Sequence, residues 1–222
     1  MVQTPTQQIN LYPDSDGKPM AENTEQYRWI ALLVTNLKLL LKDRVAFVAG
    51  DLLWYPVQSK EHPAPCQAPD AMVVLGRPEQ YRGSYKQWEE GNIAPQVVFE
   101  IISPSNTAEE MLEKQSFYSE YGILEAYFYS PAKQKFWGLV RNQADEAPRL
   151  ITPLNMPWRS PSLGIEFRLF EDGLAVFYPD GEEFQDPEVL GQERTQLKNL
   201  INEANDLNAL KQAIKDAGIN LS

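Results

Sequence analysis

The chain has 222 residues, 43% hydrophobic and 23% charged, which is enough for one sizeable core and excludes a disordered or fibrous polypeptide. A net charge of −11, with no basic segment, repels phosphate backbones at long range and argues against a nucleic-acid coat protein, although a small basic groove stays open. The single cysteine, Cys66, makes no internal disulfide, the apolar stretch from Trp29 to Leu41 is too short to cross a bilayer, and the N-terminus has no secretory leader, so a cytoplasmic protein away from the membrane is expected.

Residues 1–24 are polar and rich in turn formers, among them Pro5, Pro13, Asp14, Gly17 and Pro19, and read as an irregular arm. From Tyr27 to Lys42 the residues Trp29, Ile30, Leu32, Leu33, Leu37, Leu40 and Leu41 recur at helical spacing, which predicts a helix packed on a sheet. Strand-like runs follow at Val45–Ala49, Leu52–Val57, Ala71–Leu75, Val97–Ile102, Ala126–Tyr129, Lys135–Val140 and Ile165–Phe170. Leu174–Tyr178 leads into Pro179-Asp180-Gly181, a turn toward Glu183 and Phe184. One long helix interrupts the strands, from Thr107, whose hydroxyl caps while Glu110 returns the bond, to Gly122 as its stop. After Pro187 the composition turns to Gln, Asn, Glu, Lys and Leu, and Leu197, Leu200, Ala204 and Leu207 form a short coiled-coil-like seam of a C-terminal helix. The expected organisation is an arm over 1–24, an α+β domain over 25–185 and a helical tail over 186–222.

Chemistry points to an acid inside an apolar strand, Val97-Val98-Phe99-Glu100-Ile101-Ile102. A carboxylate there loses hydration at a cost of several kcal/mol unless a cation or strong donors compensate. Asp70 opens the strand Ala71–Leu75, and two acids on neighbouring strands can converge on a hard divalent cation, for which Mg²⁺ fits best. Lys114 shares a helix face with Met111 and Tyr118, which directs its ammonium toward the interior or a cleft edge. Ordinary roles stay open for each: a turn residue for Asp70, an internal arginine or backbone amides for Glu100, and an i,i+4 pair with Glu110 for Lys114. Arg77, Arg82 and Lys86, interleaved with Tyr81, Tyr85 and Trp88, form either a phosphate-binding surface with stacking partners or a solvated loop whose charge Glu79, Glu89 and Glu90 nearly cancel. His62 and Cys66 lack the further ligands of a zinc site, and there is no P-loop, GxGxxG or GxSxG.

Together the residues Pro69-Asp70, Gln96-Val-Val-Phe-Glu100-Ile-Ile-Ser-Pro-Ser105-Asn and Lys114-x-x-x-Tyr118-x-x-x-Gly122-Ile-x-Glu125-x-Tyr127 resemble the Uma-two family of restriction endonucleases in the PD-(D/E)xK nuclease superfamily. The likeness extends to Gly50–Pro56, to Gly76–Gln96 and to later stretches, over roughly residues 14–185. The resemblance implies a restriction-endonuclease-like mixed sheet flanked by helices. It implies Asp70, Glu100 and the Ile101 carbonyl as metal ligands, and a lysine that helps activate water. The superfamily places that lysine two residues after the acid, where this chain has Ile102, and the family's lysine on the following helix matches Lys114. An acid on the first helix often completes such sites, and Glu25 is the nearest candidate. The implied activity is Mg²⁺-dependent hydrolysis of DNA, with Mn²⁺ as a substitute, in a homo-oligomer, most simply a dimer. The competing expectation is a catalytically silent scaffold that binds a partner through its tail.

Overall fold

The computed structural model describes residues 10–17, 19–60, 62–203 and 207–218; residues 1–9 of the expected arm and 204–206 of the expected tail helix, including Ala204 of its seam, lie outside the described residues. The chain divides into two compact units, the first ending at Phe184 and the second beginning at Gln185.

Helix α1 spans Thr24–Leu40 and starts three residues before its apolar stripe, because the Asn23 side chain caps it by accepting from the Gln26 N–H. The strands β1 (Ala46–Ala49), β2 (Trp54–Tyr55), β3 (Ala71–Leu75), β4 (Tyr85–Lys86) and β5 (Val97–Ile101) precede α2 (Ala108–Glu120). Beyond it come β6 (Glu125–Ser130), β7 (Lys135–Val140), β8 (Arg149–Ile151), β9 (Trp158–Arg159), β10 (Glu166–Phe170) and β11 (Gly173–Phe177). The main sheet has the order β1-β3-β5-β6-β7-β8 and is mixed: β5 and β6 run parallel, joined by α2, and the other neighbours are antiparallel. A parallel pair needs a crossover, and the capping box at Thr107 starts that helix where the strand ends.

Alternation along the strands divides the core. Val97, Phe99, Ile101, Tyr127 and Tyr129 join Ile30, Leu33 and Leu37 of α1 on one face, with Phe167 and Val176 of the smaller β9–β11 sheet. Val98, Ile102, Met72, Val74 and Phe128 join Met111 and Tyr118 of α2 on the other. Helices on both faces of a mixed sheet are the architecture that the resemblance implies.

Buried Glu125 ties β6 to the chain after β9. Its carboxylate accepts from the Tyr127 hydroxyl at 2.6 Å, the Ser160 hydroxyl at 2.5 Å and the Ser162 N–H at 2.6 Å. At the outer edge of β1 the Val48 N–H donates to Glu79 at 3.3 Å, and Lys38 at the end of α1 holds Glu79 at 2.8 Å.

The three strands without a sequence signal, β4, β8 and β9, are two or three residues long, too short for alternation to show. In the arm, the Tyr12 ring meets Tyr55 and Trp88, and Asp14 accepts from the Ser84 hydroxyl at 3.0 Å. The tail carries two helices, α3 (Pro187–Glu203) and α4 (Leu207–Asp216), which contact each other.

The capping box makes α2 sensitive to its first residue. Thr107→Ala is expected to lower unfolding free energy by about 1 kcal/mol in urea titration, with Glu110→Gln costing less; an unchanged midpoint for Thr107→Ala contradicts this.

Candidate active site

Strand periodicity turns Glu100 toward α2, where it is 2% exposed. The Lys114 Nζ lies 2.6 Å from its Oε2, and the Tyr118 hydroxyl donates to its Oε1. These partners share a face of α2 with buried Met111, so the contacts that dock the helix also aim the ammonium and the phenol. Glu110 returns the capping bond to the Thr107 N–H. The far end of α2 is held by Arg141, whose guanidinium donates to the carbonyls of Ser119 at 2.7 Å and Ile123 at 2.8 Å.

Asp70 comes from the neighbouring strand. Ala71 stands opposite Phe99, so one step further Asp70 faces Glu100 on the same side of the sheet. Asp70 is 7% exposed, accepts the Ile101 N–H at 2.6 Å, and is also hydrogen-bonded by Gln26. Burial, and then the Glu100 carboxylate, push its carboxyl up to about 8, against the downward pull of Lys114 and these two donors. Burial alone would lower the Lys114 ammonium, but Glu100 and then Asp70 outweigh it and hold the pKa above the usual lysine value. Burial and Glu100 raise the Tyr118 phenol well above its ordinary value, so it stays a donor.

The Ile101 carbonyl accepts from the Gln26 side chain at 3.0 Å. From α1 it is thus Gln26, 8% exposed, that reaches the cluster, whereas Glu25 is exposed. Sequence reading began the helix at Tyr27 and so missed Gln26; the signal was its place one turn before Ile30 on the apolar stripe. It also missed Asp51, held at φ +47 with its N–H on the Pro69 carbonyl at 3.1 Å. Burial, and after it the charge of Asp16, raise the Asp51 carboxyl, with Lys114 opposing and Glu100 adding, which puts Asp51 at the rim of the cluster.

Arg77 and Arg82 stand elsewhere. Both grip Glu90, at 2.9 and 2.7 Å, and the Arg82 guanidinium lies over the Phe47 ring at 4.2 Å. They hold the loop together, while Lys86 lies half-buried in β4. Among the described residues no group of three or more His, Cys, Asp and Glu side chains is arranged to hold a metal ion. The oxygens that could hold an ion here are those of Asp70, Glu100 and the Ile101 carbonyl, a set suited to a hard cation, and Asp70 with its raised pKa is the group a cation would bring into its ionised form.

A family model described as "Uma2: Putative restriction endonuclease" matches residues 15–176. Among solved structures, one titled as a putative nuclease belonging to DUF820 from Anabaena variabilis is 17% identical, with a TM-score of 0.47 over 68% of this chain and 81% of that chain. No curated protein matches. No helix among the described residues is long and apolar enough to cross a membrane.

Asp70 also sets a pH dependence. In metal-free protein the folded state keeps a proton up to about 8 that the unfolded chain releases near 3.8, so this contribution to stability is present below about 4 and is lost as pH rises through about 8. Asp70→Asn, of the same shape and without charge, should be less pH-dependent than wild type across that window in urea unfolding. Equal slopes for the two proteins would rule this out.

Proposed function

Because the chain belongs to the Uma2 family, we propose that it is a Mg²⁺-dependent endonuclease that hydrolyses DNA phosphodiester bonds, with Mn²⁺ able to replace Mg²⁺. The observation that carries this reading is the Glu100 carboxylate, buried in mid-strand, bonded at one oxygen by Lys114 and at the other by Tyr118, and facing Asp70. Asp70, Glu100 and the Ile101 carbonyl hold the cation. Once bound, it supplies a coordinated water of lowered pKa and neutralises charge on the attacked phosphate. Tyr118 fixes the rotation of Glu100, and Lys114 orients the water against the phosphate. Arg77 and Arg82 act through Glu90 to shape the loop, which leaves Lys86 as its contact to the DNA backbone. The tail pairs two copies of the chain.

A second reading, the silent scaffold, is favoured by the net charge of −11 and by the engagement of both loop arginines with Glu90. Two variants separate the readings. Glu100→Gln should abolish Mn²⁺ binding in calorimetry and DNA cleavage with it. Lys114→Met keeps the apolar stem, and it should bind Mn²⁺ at least as tightly, since a cation that competes for Glu100 is gone, while cleaving plasmid DNA about a hundredfold more slowly. Wild-type protein that binds no Mn²⁺ and leaves plasmid intact would transfer the reading to the scaffold. For the tail, a chain ending at residue 184 should show half as many subunits per particle as the full chain by light scattering; equal oligomeric states would remove the tail from the assembly.

A further inference from the structure

Both backbone polar groups of Ile101 are engaged. Its N–H donates to Asp70 Oδ2 at 2.6 Å, and its carbonyl accepts from Gln26 Nε2 at 3.0 Å. The other atom of the Gln26 amide, Oε1, accepts the Glu22 N–H at 2.9 Å. These partners fix which way the amide points: a carbonyl requires the nitrogen and an N–H requires the oxygen. A donor nitrogen, the positive end of the amide dipole, therefore stands against the Ile101 carbonyl and beside Asp70, two of the three oxygen donors of the cluster.

We propose that Gln26 is a latch on this site: its amide nitrogen takes the cation's side of the Ile101 carbonyl and Asp70, and it has to move away before a divalent ion can bind. This rests on the reading of Asp70, Glu100 and Ile101 as the metal-holding set. A carbonyl oxygen that is donated a hydrogen bond along the approach of a cation gives up that bond on coordination, so the bond stabilises the metal-free form and weakens metal binding by the same amount. The latch is also connected outward. The Glu22 carboxylate accepts from the hydroxyls of Ser103 and Ser105 in the loop that follows β5, so release of Gln26 removes the acceptor of the Glu22 N–H and loosens the contact between the start of α1 and that loop.

A latch and a supporting residue predict opposite signs. Gln26→Met keeps the length and the packing of the side chain and removes the donor. Metal-free Gln26→Met should unfold at a lower temperature than wild type, because the buried Ile101 carbonyl loses its partner, and it should bind Mn²⁺ about tenfold more tightly in calorimetric titration. Gln26→Glu, which replaces the donor with a further carboxylate oxygen, should bind more tightly still. Mn²⁺ affinity of Gln26→Met equal to or weaker than wild type overturns the latch. Glu100→Gln in the same titration distinguishes the two levels: if it abolishes binding while Gln26→Met leaves affinity unchanged, the site stands and the latch falls. If Glu100→Gln binds as wild type does, or if no protein in the series binds Mn²⁺, the site reading falls and the latch falls with it.

Discussion

The Glu100 carboxylate, 2% exposed on a strand of large apolar residues, has to be held by partners from outside its own strand, and much of the body serves that requirement. Its cation and its phenol arrive on α2, the crossover between the parallel strands β5 and β6. That helix is fixed at the start by the Thr107 box and at the end by Arg141, so a displacement at either terminus would be felt at the Lys114 ammonium. Asp70 is brought opposite by the antiparallel register of β3 with β5, which leaves two carboxylates and one ammonium in an apolar setting. Burial, and after it the Glu100 carboxylate, raises the Asp70 carboxyl.

Two buried acids in this chain are satisfied in different ways. Glu125 is held by neutral donors alone, two hydroxyls and an N–H, and fastens β6 to the chain after β9. Glu100 keeps a cationic partner and a second acid across the register, an arrangement that apolar residues of similar volume would match or exceed in stability. A fold that needed only a fastening would be served by the Glu125 solution. The Glu100 arrangement gains no stability over that replacement, and it is the one on which the proposed activity rests.

The elements with clear periodicity were legible in the sequence: the stripe of α1, the strands from Ala71 and Val97, and α2 with its cap. The face of α2 that carries Met111, Lys114 and Tyr118 followed from i,i+4 spacing, and so did the inward course of the ammonium. What stayed hidden depended on contacts between distant segments. Gln26 fell between the expected arm and the helix read from Tyr27, and the partner of its amide nitrogen, the Ile101 carbonyl, lies 75 residues away. Arg77 and Arg82 read equally well as a phosphate surface or a solvated loop, because the sequence does not reveal that Glu90 folds back between them.

The outer side of β1 has a consequence for how copies of this protein can meet. An edge strand normally offers its unpaired N–H groups as a template on which another chain can add a strand. Here the Val48 N–H is already taken by the Glu79 carboxylate, and Lys38 holds that carboxylate in place. A chain approaching in register would have to displace an ion pair and would meet a charged side chain where it needs a carbonyl. At Val48 the β1 edge of the six-stranded sheet is therefore guarded, and a continuous sheet shared across it would form only after the Lys38–Glu79 pair gives way.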